Sequence, residues 1–104
     1  MANLFIVYWR DIPAQVTAHR AGAGRAGRVK RQLSPRFAEA IDMAAMKAGA
    51  TGTDAYLADW RNSEAEHCVD DLDAAATAAV ARIEGQYDAD RLRALIDNGG
   101  REGA

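Results

Sequence analysis

Two short segments of the sequence join an indole to a guanidinium: Tyr8-Trp9-Arg10-Asp11 and Asp59-Trp60-Arg61. Tryptophan offers a wide apolar face with one N–H donor, and arginine a planar fork of donors. These are the residue types that most often concentrate binding energy at protein interfaces. Tyr8, Trp9, Arg10, Asp11, Trp60 and Arg61 are therefore the candidate partner-binding residues. The competing reading of the same residues is a core tryptophan beside local Arg–Asp pairs. A second group is cationic: Arg20, Arg25, Arg28, Lys30, Arg31 and Arg36 occur with no acid between Ile12 and Ala38. If their polar positions share a sheet face with Phe5 or Trp9, cations and an aromatic ring lie together, which is the chemistry of a single-stranded nucleic-acid platform. Arg20, Arg25, Arg28, Lys30 and Arg31 are the contacts that this alternative uses. Otherwise the face is solvated, or it pairs with acidic groups of the same chain or of a neighbouring one.

Other motifs carry less. Gly22-Ala23-Gly24-Arg25-Ala26-Gly27 spells G-x-G-x-x-G, but a dinucleotide site needs a helix to open directly after it. Arg28 to Leu33 alternates like a strand instead, so a glycine-rich hairpin connection is the expected role. His67 and Cys68 have metal-ligand side chains, yet neighbours in extended chain point opposite ways and a metal needs about four converging groups. His19 lies on the polar side of its strand with no acid paired to it in sequence. Ser34 reads as a helix cap and Ser63 as part of a polar loop, neither in the strand–turn–helix setting of a nucleophile elbow. The expectation is a non-catalytic protein with no metal and no cofactor.

The elements that position these groups follow from patterning. Leu4 to Trp9 is continuously apolar, which implies a central strand buried on both faces. Asp11-Ile12-Pro13 interrupts it. Ala14, Val16 and Ala18 alternate with Gln15, Thr17 and His19, and Val29, Arg31 and Leu33 with Arg28, Lys30 and Gln32, so the two runs form a hairpin. Ser34-Pro35 opens a helix with Phe37, Ile41, Ala44, Ala45 and Ala48 on one stripe, closed by Gly49. Asp70 should cap a second helix with the stripe Leu72, Ala76, Val80, Ile83 and Tyr87. Asp88 should cap a third with Leu92, Leu95 and Ile96 facing inward. Between them, residues 51–69 need to bury Tyr56, Leu57 and Trp60 through either a short helix or an edge strand. Strands first and helices after imply an α+β fold: a small antiparallel sheet of three or four strands with about three helices packed against it.

The 104 residues suffice for one domain, placed at residues 1–98 with a flexible tail over 99–104. Hydrophobic residues at 49% and charged residues at 27% place the chain in the globular range and against disorder. Charge is uneven: residues 1–36 carry seven Arg and Lys against one acid, while the rest carries six against fourteen, for a net −2. That total excludes a globally basic nucleic-acid-coating protein. The single cysteine fits a reducing compartment, and the six-residue apolar run is too short for a membrane span. Cytoplasmic location is therefore expected. A homodimer is one way to cover the second face of the central strand.

One stretch is specific enough to be compared with a family. Ile6-Val7-Tyr8-Trp9-Arg10-Asp11-Ile12-Pro13-Ala14-Gln15-Val16, then Arg36-Phe37, Ala40-Ile41-Asp42-Met43-Ala44-Ala45, Tyr56-Leu57 and Trp60-Arg61, resemble the small bacterial virulence factor domain family. The likeness covers about residues 3–62 and returns at Asn98-Gly99-Gly100. A related domain forms part of the larger conserved virulence factor C proteins. For the short versions, the resemblance implies an accessory role beside corrinoid-dependent methyl-transfer systems, including split methionine synthases and their activators. It brings no catalytic residue set.

Overall fold

The apolar run from Leu4 to Trp9 ends up with strands on both sides. A computed structural model of the chain describes residues 2–20, 22, 27–50 and 52–102. Strand β1 (Ala2–Trp9) turns at Arg10-Asp11 into the antiparallel β2 (Ile12–Arg20), which pairs with β3 (Arg28–Gln32). The other edge of β1 is shared by β4 (Trp60–Asn62), against Val7–Trp9, and β5 (Glu66–Cys68), against Ala2–Leu4. Four helices complete the described chain: α1 (Pro35–Lys47), α2 (Thr53–Ala58), α3 (Leu72–Gln86) and α4 (Ala89–Asp97). The fold is α+β. The segment read as either a helix or an edge strand supplies both, which brings the sheet to five strands.

β1 is central, but it is not buried evenly. Ala2, Leu4 and Ile6 are buried, whereas Asn3, Phe5 and Val7 are half-exposed. The cause is α3, which packs across β1, β2 and β3. Its buried side is Leu72, Ala75, Ala76, Ala79 and Ile83; alanine lets the helix backbone approach the sheet closely. Val16 and Ala18, the cross-strand partners of Ile6 and Leu4, complete that face. Opposite-face side chains therefore stay partly in solvent, although nothing polar in β1 beyond Asn3 announces it. Pro13, expected to break the strand, sits second in β2 opposite Tyr8, where the register shifts. A proline without its N–H is tolerated at such an irregularity.

Helix ends follow local chemistry with two differences. Gly49 closes α1 in the left-handed region, φ 72°, and the Asp88 carboxylate accepts from Arg91 N–H at the start of α4. The cap of α3 is Asp71, one residue later than expected, accepting from Ala74 N–H at 3.1 Å. Ser34 precedes α1 without capping it. Its N–H and hydroxyl instead donate to Glu84 of α3, at 2.7 and 2.9 Å, and Arg36 donates to the same carboxylate at 3.1 Å. Burial pushes the Glu84 carboxyl up, but the bonds from Ser34 and Arg36 outweigh it and hold the group below the usual carboxylate range. A carboxylate from another helix thus satisfies the start of α1 and ties it to α3.

Candidate partner-binding site

The two Trp-Arg segments are cross-strand neighbours: Trp9 pairs with Trp60 and Tyr8 with Arg61. Trp9 is fully buried, stacks on Tyr56 of α2 at 5.9 Å, and donates its indole N–H to the Tyr56 carbonyl at 2.8 Å. Trp60 meets Tyr56 edge-on at 5.8 Å. Arg10 occupies the left-handed region, φ 52°, at the β1–β2 turn. Its guanidinium lies 4.8 Å from the Trp9 ring and donates to Asp59 at 3.0 Å and to the Gly99 carbonyl at 2.8 Å. Arg61 reaches back to the Arg10 carbonyl at 3.0 Å and to the Asp11 carboxylate at 3.1 Å.

The C-terminal residues belong to this cluster. Asp11 N–H donates to the Gly100 carbonyl at 2.8 Å, and Glu102 N–H to the Asp11 carboxylate at 2.6 Å. Gly100 is buried with φ 91°, and a Cβ there would sit 2.8 Å from Cζ3 of Trp9. The tail expected to be free from residue 99 therefore closes the fold at least to Glu102, because the Trp9 ring and the Arg10-Asp11 turn leave a gap that only backbone fills.

The six candidate residues divide accordingly. Trp9 and Arg10 are committed to the interior network, and Trp60 is half-buried beside it. Tyr8, Asp11 and Arg61 face a cleft of about 510 Å³ on the α3 side of the β1 edge. The cleft walls add Ser63, Glu64, Glu66, Tyr87 and Glu102. Arg61 covers the ring of Tyr8 at 4.5 Å, and Arg91 that of Tyr87 at 4.0 Å. Burial pushes the Tyr87 phenol up; the neighbouring Tyr8 and Glu102 reinforce the shift and Arg91 opposes it. Tyr87 therefore keeps its proton at neutral pH and remains a donor. Of the four carboxylates, Asp11 pairs with Arg61, Glu66 with Arg82 and Glu102 with Arg91, so Glu64 alone lacks an ion pair among the described residues. The paired groups are fixed by bonds to the fold, while Glu64 and the phenol oxygens can receive a cationic side chain. Tyr87, Glu64 and Glu102 were not legible as site residues; only proximity in the fold brings them to Tyr8.

The basic residues divide as well. Arg31 pairs with Asp73 and Arg20 donates to the Asp70 carbonyl, so both engage the α3 N-terminal turn. Arg36 is held by Glu84 and the Tyr87 carbonyl. Arg25 lies outside the described residues, as does most of the glycine motif. Arg28 and Lys30 are exposed and have no side-chain partner among the described residues. His67 and Cys68 sit on successive positions of β5, the histidine exposed and the thiol half-buried. Burial, with Asp70 and Glu66 nearby, pushes the Cys68 thiol up, away from the thiolate a metal or nucleophile role needs.

Fold and cleft define a small α+β domain with a polar cleft at one edge of its sheet and a partly open face behind. The chain belongs to the virulence factor family: the family model of that description matches residues 7–96, from β1 into α4. No curated protein and no solved structure matches it. Among the described residues no helix is long and apolar enough to cross a membrane.

Proposed function

We propose that this protein is a non-catalytic cytoplasmic accessory domain that docks a protein partner at the cleft beside the Trp–Arg cluster. The observation that carries this reading is the fixed placement of Tyr8, Asp11 and Arg61 on one wall of that cleft, with Tyr87 and Glu102 among its other residues. Groups already held in position lose little freedom on binding, so more of their interaction energy appears as affinity. Glu64, the cleft carboxylate with no ion pair among the described residues, and the tyrosine oxygens favour a partner segment that presents lysine or arginine. The family's company makes a corrinoid-dependent methyl-transfer protein, such as a methionine synthase component or its activator, the first class of partner to test.

The test is recovery of partners by a tagged copy from its own cells after nuclease treatment, with Glu64→Lys beside the wild type. Glu64 is exposed and its side chain makes no bond among the described residues, so the variant folds normally while reversing charge at the cleft. A stoichiometric methyl-transfer protein held by the wild type and lost from Glu64→Lys is the expected result. Retention of that partner by the variant places docking elsewhere, and failure to recover any protein removes the proposal.

A further inference from the structure

Cross-strand partners in a sheet share a face, and the register sets three rows on the face turned away from α3. His67, Asn3, His19 and Arg28 form the first; Phe5, Thr17 and Lys30 the second; Asn62, Val7, Gln15 and Gln32 the third. Not one of these residues is acidic, in a chain whose net charge is −2. On the α3 side of the same strands the cations Arg20 and Arg31 are already engaged by Asp70 and Asp73. Here Arg28 and Lys30 have no side-chain partner among the described residues. Phe5 is half-buried and meets His19 edge-on, centroids 5.8 Å apart at 63°, so part of its ring remains open. In the middle row Thr17 is 1% exposed, and its hydroxyl has no hydrogen-bond partner among the described residues. A buried hydroxyl in that state is destabilising unless something comes to it.

We propose that this face binds single-stranded nucleic acid. The three rows offer what a nucleotide presents: an aromatic ring for a base face, amides with donors and acceptors for base edges, and cations for phosphate. Phe5 carries the stacked base, Asn3, Gln15 and Gln32 meet base edges, and Arg28 and Lys30 take phosphates. Strands about 4.8 Å apart give the face room for about two or three nucleotides. Lys30 is the cross-strand neighbour of Thr17, so a phosphate held by Lys30 lies close to that hydroxyl. An acidic surface of a second copy satisfies the two cations but leaves the ring and the amide row without a match, so the single strand is the better fit. This inference is independent of the cleft, which lies on the opposite side of β1.

Fluorescence anisotropy with labelled oligouridylate and oligothymidylate at low salt, and a duplex control, tests it. The expected result is micromolar-order binding of a single strand, with log affinity falling against log salt at a slope of about −1.4 for two phosphate contacts. A preference for one oligomer identifies RNA or DNA as the source. Arg28→Glu with Lys30→Glu, both exposed, should weaken binding at least about tenfold. Phe5→Leu, which keeps apolar bulk, should weaken it by about 5- to 100-fold. Glu64→Lys should still bind with that same dependence on Arg28 and Lys30, which separates this face from the cleft. No single-strand binding by folded protein at low salt overturns the proposal, as does equal affinity for duplex or indifference to the double charge reversal. A dimer that dissolves on the charge reversal, with no oligonucleotide bound, overturns it in favour of a second copy.

Discussion

The Trp–Arg end of the molecule and the open sheet face use similar residue types for opposite ends. At the first, Trp9 and Arg10 look like ideal contact residues, yet both are consumed by the fold: ring, guanidinium and carbonyls close a network from β1 to Gly100. At the second, Arg28 and Lys30, candidates for a lesser reading of the sequence, lie beside a row of amides and have no side-chain partner among the described residues. The difference teaches that residue type nominates a binding group, while burial and existing partners decide whether it is available. Arg10 and Arg28 have the same side chain; Arg10 is held by Asp59 and the Gly99 carbonyl, while Arg28 has no side-chain partner among the described residues.

That contrast can be broken in four places, beginning with the strongest. Gly100→Ala forces a methyl group against Trp9 at a positive φ; it should lower stability by about 3 kcal/mol, near the cost of deleting a core aromatic. Urea unfolding measures it, and a loss under about 1 kcal/mol shows that the C-terminal closure adds little. Arg10→Ala removes charged hydrogen bonds to Asp59 and Gly99 and should cost about 2 kcal/mol, whereas Arg28→Ala should stay within about 0.5 kcal/mol of the wild type. Read from sequence as a candidate contact for a partner, Arg10 instead spends partly buried bonds on the fold. Equal effects at the two positions erase the comparison.

Glu84→Gln should cost about 1 kcal/mol at neutral pH. Since the folded-state carboxyl is held below its ordinary range, its contribution is present above the unfolded value of about 4.3 and is lost as pH falls through the lower folded value. Melting of the two proteins should therefore converge toward acid; a constant gap shows that Glu84 acts by packing alone. The smallest effect is a gain. Thr17→Val keeps the shape of a strand residue and removes the unpartnered hydroxyl, so stability should rise by about 1 kcal/mol, while binding at the open face weakens. A destabilised Thr17→Val means that the hydroxyl is satisfied in solution.

Period and punctuation carried much of the fold. Ser34-Pro35, Gly49 and Asp88 mark helix ends where the structure has them, and the alternation in β2 and β3 places Val16 and Ala18 under α3. The unevenness of β1 was illegible because Phe5 and Val7 are as apolar as Leu4 and Ile6; the position of α3 decides their burial. Glu84 as the anchor of Ser34 was hidden for a similar reason, since fifty residues separate them. The site was legible in type and not in arrangement. Both Trp-Arg segments stood out, but their pairing, the closure by Gly99 and Gly100, and the Tyr87 side of the cleft arise from long-range packing that no local pattern encodes.

The most direct test of the central claim compares charge reversals at the two surfaces in one co-purification series. Wild type and Arg28→Glu/Lys30→Glu should both retain a stoichiometric methyl-transfer protein, and Glu64→Lys should lose it. Loss from the open-face variant with retention by Glu64→Lys contradicts the assignment of docking to the cleft.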